Sequence, residues 1–438
     1  MQRRQLLKFG LSGFASLSLS GLMRLRAQAA APGSERTAII LVWLRGGCSH
    51  LDTWDPKPDA SSDFRSPYTP INTNVPGTIV TELLPRISQI ADRFNLLRSV
   101  AHTGGGHPAG SLQVLAGDPA AQDKTKPVLP DWMSIANFLR YDPARKLPNY
   151  ITVNPVDRYD SFTIAGATYL GPSYEPFRVT GDPSQPNFEV PNVGLKDEKL
   201  AARLSSRVSL REKLDGLRRD IDATGELAAL DNFDKAAVNL LTSPQARLAF
   251  DLAQEPDALR DRYGRNQWGQ QCLMARRLVE AGVPIVQVCC SAGDLNGGAG
   301  DMWDTHGDNF NRLKNRLLPV FDRGFSSLLI DLENRGMLDE TLVVMLTDFG
   351  RTPKINGNAG RDHYPSVYSL VMAGGGIQGG QVYGSSDSKG AVPHDRPCRP
   401  EDIHATIYDC LGISPRTEIH DVLDRPFPVS HGKILPLT

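Results

Sequence analysis

The six cysteines include no C-x-x-C pair, so neither a thioredoxin-like redox site nor a zinc ribbon is supported. Beyond the first thirty residues no apolar run approaches the ~18 residues that a membrane-spanning helix needs, which leaves no transmembrane segment in the mature chain. Positive charge is not in excess either. Lys and Arg number 48 against 49 Asp and Glu, and five of the basic residues (Arg3, Arg4, Lys8, Arg24, Arg26) fall in the first 29, where there is no acid, leaving 43 against 49. A mature chain with that balance has no electrostatic footprint for nucleic acid or anionic lipid. What remains is an ordinary globular composition, 40% hydrophobic and 22% charged over 438 residues. That is too long for a disulfide-stapled miniprotein and sufficient for one large α/β domain with insertions, or for two or three domains. The 40 glycines and 32 prolines imply long, turn-rich connections between regular elements.

The N-terminus reads QRRQLLKF, then a mildly apolar stretch from Phe9 to Met23, then Arg24, Arg26 and Ala27-Gln28-Ala29. An arginine pair, a weak apolar region and a small-residue cleavage site in that order predict a twin-arginine signal over residues 1–29. The expectation is a protein exported already folded, periplasmic or otherwise outside the cytoplasmic membrane. Export in the folded state raises the expectation of a metal or cofactor loaded beforehand. In an oxidising compartment six cysteines allow disulfides, but their pairing stays open. Cys289 and Cys290 end the apolar run VPIVQVCC and read as buried strand residues.

Residues 37–44, TAIILVWL, form a β-branched apolar run, the pattern of a strand buried on both faces. Prolines crowd about 123–195, apart from a short helix near Trp132 to Arg140, and this stretch reads as an insertion over one end of the sheet. A helical subdomain is expected over about 197–265, where Leu210, Leu214, Leu217 and Ile221 recur at helical spacing. Then helix and strand alternate: helix 267–281, strand 283–290, a long helix or helix pair 309–335, strand 341–347 and strand 367–373. Such alternation predicts a parallel sheet with helices on both faces, its site at the carboxyl ends of the strands.

Four loops fit that position. They carry Ser49, His50, Asp52, Asp55 and Lys57; His102 and His107; Asp294, Asp301, Asp304, His306 and Asp308; and Asp348, Arg351, Arg361, Asp362 and His363. Five of the nine histidines lie in them. Carboxylates and imidazoles converging from separate strand ends are what a divalent metal site requires, because O and N donors must approach one cation from several directions. Asp348 directly follows the apolar run TLVVMLT, where a carboxylate suits binding better than packing.

The segments RGGCSHLDTWDPKP, WDTH, TDFGRTPKINGNAGRDHYP with the AGGGIQGG after it, and PEDIHATIYDCLGI resemble the bacterial domain-of-unknown-function 1501 family over nearly the whole mature chain. That family is similar to a divergent branch of the alkaline phosphatase and sulfatase superfamily. The resemblance implies one alkaline phosphatase-like domain over residues 30–438, a three-layer α/β/α sandwich with a mainly parallel sheet and one or two divalent ions, zinc among the candidates. TDFG resembles the superfamily's S-D-H-G, which would make Asp348 a metal ligand and put Phe349 in a ligand histidine's place. Asp304, His306 and His363 resemble the ligands of the other metal, with D-x-H spacing instead of D-x-x-x-H. At the first strand tip Asp52 or His50 would stand in for the usual aspartate. HPAGSLQVLAG resembles the sulfatase nucleophile stretch with His107 at the cysteine position, so no formylglycine is expected; His107, or Ser111 one turn on, is the candidate catalytic group.

Two readings follow. One is an exported metal-dependent hydrolase of phosphate or sulfate esters, with Lys57, Arg351 and Arg361 offsetting the charge of an anionic substrate. The other is an exported binding or scaffold protein that keeps the fold and partners another exported protein or a cell-surface polysaccharide.

Overall fold

The computed structural model describes residues 37–155, 157–191, 193, 240–290 and 302–437. The signal segment, most of the expected helical subdomain, Asp294 and Asp301 lie outside the described residues. Eight strands make one sheet: β1 (Ala38–Leu44), β2 (Asn95–Val100), β3 (Tyr150–Val153), β4 (Phe177–Val179), β5 (Ile285–Cys289), β6 (Thr341–Thr347), β7 (Tyr368–Ala373) and β8 (Val382–Tyr383). Their order across the sheet is β8-β2-β7-β6-β1-β5-β3-β4. Only β7 runs against the rest.

The two longest strands, β1 and β6, lie side by side at the centre and are buried along their whole length. Their side chains alternate between two cores. Ile40, Val42 and Leu44 join a cluster with Leu273 and Leu328, from helices α3 (Gln267–Glu280) and α4 (Leu318–Asn334). Ile39, Leu41 and Trp43 join the opposite cluster with Leu115 and Ile407, from α1 (His107–Ala116) and α5 (Pro400–Cys410). α2 (Trp132–Leu139) packs on that second face. Burying each such side chain contributes about 1.5–3 kcal/mol, and two cores on two faces make the fold a three-layer α/β/α sandwich.

The proline-crowded stretch departs from expectation. It supplies β3 and β4, which extend the sheet in parallel beyond β5, so it is part of the sandwich and not only a cover over its end. Within it Arg158–Tyr159 and Phe162–Thr163 form a small antiparallel pair. The helices Pro244–Phe250 and Asp257–Tyr263 fall where helix was expected. All six cysteines are buried and none is in a disulfide. Among the described residues, no helix is long and apolar enough to cross a membrane.

Register decides what meets at the sheet's end. Leu44 pairs with Thr347 and Trp43 with Cys289, so Arg45 and Asp348 leave the sheet at one level and Cys290 one residue before it. Tyr368, which opens the antiparallel β7, pairs with Val100 at the close of β2. This brings His363 and the His102–His107 loop to the same end.

Candidate functional site

Three ligand-type atoms form a tight triangle at that end. The Nε2 atoms of His306 and His363 are 2.9 Å apart, and they lie 3.1 and 3.2 Å from Asp304 Oδ1. The other nitrogen of each ring has its role assigned by its partner. His306 Nδ1 meets Asp362 Oδ1 at 2.7 Å and His363 Nδ1 meets the Gly105 carbonyl at 3.0 Å. Both partners can only accept, so each Nδ1 carries the proton, and in the neutral rings both Nε2 atoms present lone pairs. Burial, then the neighbouring His107 and Arg351 charges, hold the His363 pKa below its ordinary value even though Asp304 opposes them.

His107 closes the group from the first turn of α1. Its Nε2 lies 3.3 Å from Asp304 Oδ2 and its Nδ1 2.6 Å from Asp348 Oδ2. Burial alone would lower its pKa, but hydrogen bonds to Asp304 and Asp348 and their charges outweigh that and lift it to about 9. Asp304 is the shared carboxylate. Desolvation pushes its pKa up, while His107, His363 and Arg351 together hold it well below the usual carboxylate range. Among the described residues, His107, Asp304 and His363 can bring one ligand atom each within 4.8 Å of one another.

Asp348 plays a different part from the one expected. It is wholly buried, and its oxygens already accept from the Gly46 N–H at 2.9 Å, the Tyr159 hydroxyl at 2.6 Å and His107. It orients His107 instead of joining the triangle. Behind the imidazoles sits Phe349, its ring centroid 4.4 Å from that of His363 and 5.1 Å from that of His107. The backbone is built around this ring: a Cβ at Gly47, which has φ +87°, would stand 2.6 Å from it, and one at Gly110 2.8 Å. An apolar wall therefore stands where a second ligand histidine was implied.

Of the remaining expected residues only Arg351 touches the triangle, through Asp304 Oδ1. Arg351 is fully buried and donates to the carbonyls of Gly47, Gly46, Trp303 and Arg361 and to Asp304. Its guanidinium knits loops together and is closed to a substrate. Arg361, equally buried, pairs with Asp52 at 2.8 Å and donates to the carbonyls of Thr352, Pro353 and Phe64. Asp52 is thereby saturated, since it also accepts from Ser49 and from Asn309, and is not positioned as a metal ligand. Lys57 pairs with Asp55 at 3.0 Å in a separate cluster with Arg98 and Ser386. His50 is buried with Nε2 on the Gly390 carbonyl and Nδ1 without a hydrogen-bond partner. Ser111 is fully buried with its Oγ unpartnered, so it presents no hydroxyl to solvent. The residue that sequence reasoning passed over is Tyr159, which sits in a segment with no recognisable motif.

Residues 36–436 match the family described as "Protein of unknown function (DUF1501)". The chain belongs to that family. No curated protein matches it. Similar solved structures include an alkaline phosphatase superfamily protein from Vibrio parahaemolyticus, 10% identical, covering 88% of this chain and 69% of that one with a TM-score of 0.40. A phosphonate monoester hydrolase from Silicibacter pomeroyi is 11% identical, with 91% and 75% covered and a TM-score of 0.38. A sulfatase from Pseudoalteromonas sp. is 14% identical, with 91% and 71% covered and a TM-score of 0.32. Likenesses this distant carry nothing about what this member of the family acts on.

Proposed function

We propose that the chain is an exported, metal-dependent hydrolase of phosphate or sulfate esters. One observation carries the metal: three acceptor atoms, two imidazole nitrogens and a carboxylate oxygen, face each other within 3.2 Å, while both rings spend their protons outward. Arg351 already offsets the charge on Asp304 Oδ1, but the two Nε2 lone pairs at 2.9 Å still repel one another unless a cation lies beside both. A divalent ion about 2.0–2.2 Å from each donor fits this spacing, and two imidazoles with a carboxylate are a donor set that zinc accepts while keeping an open position. Asp362 and the Gly105 carbonyl are the outer partners that hold such rings in place. One ion is the natural occupancy, because Phe349 fills the other place.

Bound there, a divalent ion would polarise an ester oxygen and activate a nucleophile. The chain's own residues would do the rest. His107 points Nε2 at Asp304 with Nδ1 anchored on Asp348. With its pKa lifted to about 9 it is set up as a general acid, and it would act as base or nucleophile only once a bound cation had offset the Asp304 charge that holds its proton. With Arg351 already bonded to Asp304 and to loop carbonyls, and Arg361 and Lys57 paired outside the triangle, recognition of an anionic group would fall to the ion.

A second reading, an exported binding or scaffold protein for a polysaccharide or another exported protein, draws support from Phe349 and from the enclosed Ser111. Metal analysis of protein recovered through its export route, with a panel of aryl phosphate and sulfate esters, tests both. The hydrolase reading expects bound divalent metal and turnover that His107→Ala abolishes with most metal retained, while Ser111→Ala does less. Metal without turnover across the panel favours the scaffold, and protein that binds no divalent ion refutes the metal reading. Export itself is tested by Arg3→Lys with Arg4→Lys, which should retain the protein in the cytoplasm.

A further inference from the structure

Tyr159 reaches the site from the proline-rich stretch and makes two kinds of contact there. Its hydroxyl donates to Asp348 Oδ2 at 2.6 Å, the same oxygen that takes His107 Nδ1. Its ring lies parallel to the His107 imidazole, 10° apart in plane with centroids separated by 4.5 Å. The segment that presents it is anchored at short range. Thr163 donates its N–H to the Thr125 carbonyl and Ile164 to that of Asp157, and Ile164 is fully buried. Tyr159 itself is almost wholly enclosed. Burial first, and then the Asp348 charge, keep the phenol's pKa far above its ordinary value, so it serves Asp348 as a neutral donor.

Arg45 adds a second support. This arginine is completely buried, its Nη2 donates to the Arg158 carbonyl, and its Nε and Nη1 have no hydrogen-bond partner. Its guanidinium carbon lies 4.2 Å from the Tyr159 ring centroid. A buried cation short of partners is held here by the aromatic face, an attraction that grows when both groups are desolvated.

We propose that Tyr159 is a positioning residue for His107: it fixes the plane of the imidazole by stacking and shares the Asp348 oxygen that holds Nδ1. The consequence is that Nε2 keeps its aim at Asp304 whatever occupies the centre. The proline-rich stretch then completes the site as well as extending the sheet. Sharing also tunes the Asp348 to His107 bond, because two donors on one oxygen each bind it more weakly than either would alone.

The inference stands on this geometry and is independent of whether the chain hydrolyses esters. The full-length protein, labelled with ¹⁵N in histidine, is compared with Tyr159→Phe and Tyr159→Leu, the His107 Nδ1–H resonance being assigned through His107→Gln. Phe keeps the ring and removes the competing donor, so the Nδ1–H signal should move downfield as its bond to Asp348 tightens. Leu removes the stack as well, so the signal should broaden or vanish, while the Nδ1–H signal of His306, held by Asp362, stays in place. A His107 signal unchanged in both variants overturns the proposal. In an ester assay the Phe variant should lower kcat with KM unchanged. If the resonance shifts where wild-type protein shows no turnover, the hydrolase reading fails and the positioning role of Tyr159 stands.

Discussion

Replacing Arg361 with Leu tests whether the charged residues at the strand ends serve the fold or the substrate. Arg361 and Asp52 are both fully buried. Two guanidinium nitrogens contact the carboxylate, at 2.8 and 3.2 Å, and the remaining donors satisfy three carbonyls from two loops. Breaking one partner of such a buried pair costs about 3–5 kcal/mol, because the other charge is left without compensation. Asp52 adds a pH signature. Burial, the largest influence, pushes its pKa up, and Arg361 reverses this so that the carboxyl sits below its ordinary value. Without the arginine, desolvation prevails and the folded-state pKa rises above the unfolded one. The variant then retains its proton when folded and releases it when unfolded, so it loses stability as pH rises through that interval. The deficit should be smallest near pH 4 and largest at neutral pH, and Asp52→Asn added to Arg361→Leu should recover part of it. Urea unfolding of the three variants and wild type at several pH values measures this. A deficit below about 1 kcal/mol at pH 7, with ester KM raised instead, would refute the structural assignment and return Arg361 to the substrate.

Asp362→Ala should weaken divalent metal affinity by about 10–100-fold while leaving the triangle's donors intact, as expected when the outer partner of a ligand histidine is lost; competition with a chromophoric chelator reads this, and unchanged affinity would remove His306 from the ligand set. Asp131, buried at the start of α2, has its pKa raised to about 6 by desolvation in spite of hydrogen bonds from Ser134 and Gly166. Its folded-state pKa lies above the unfolded value, so it favours the fold at acid pH and loses about 3 kcal/mol of that advantage as pH rises from roughly 4 to 6. The stability of wild type relative to Asp131→Asn should fall across that window; a pH-independent difference contradicts the raised pKa.

The centre of the fold was legible because β1 and β6 are buried on both faces, which writes itself into the sequence as the unbroken apolar runs AIILVWL and TLVVMLT. β2 was not. Its sequence NLLRSV places Arg98 and Ser99 inside a six-residue strand, and Arg98 is accommodated only because it reaches the Ile79 carbonyl and Asp55. β3 and β4 have four and three residues set among prolines. Such short strands are defined by whom they pair with, over a hundred residues away in the case of β3 and β5, and not by local pattern.

The same distinction runs through the site. Asp304, His306, His363 and His107 share their strand-end position with His50 and His102, which bond the carbonyls of Gly390 and Asp348, so the sequence marked the imidazole-bearing loops but not which of their imidazoles meet. Arginine is different. Loops this long have little regular secondary structure of their own and leave carbonyls turned inward, which must be satisfied when buried. The five fixed donors of a guanidinium can serve several carbonyls at once, as Arg351 and Arg361 do here. A strand-end arginine is therefore equally suited to binding an anion and to binding the loop that surrounds one, and its sequence position is the same in both cases. Only the count of donors already engaged separates the two. By that count Arg351 and Arg361 belong to the scaffold, and under the proposed hydrolase reading the recognition of an anionic substrate would rest on a cation held by Asp304, His306 and His363.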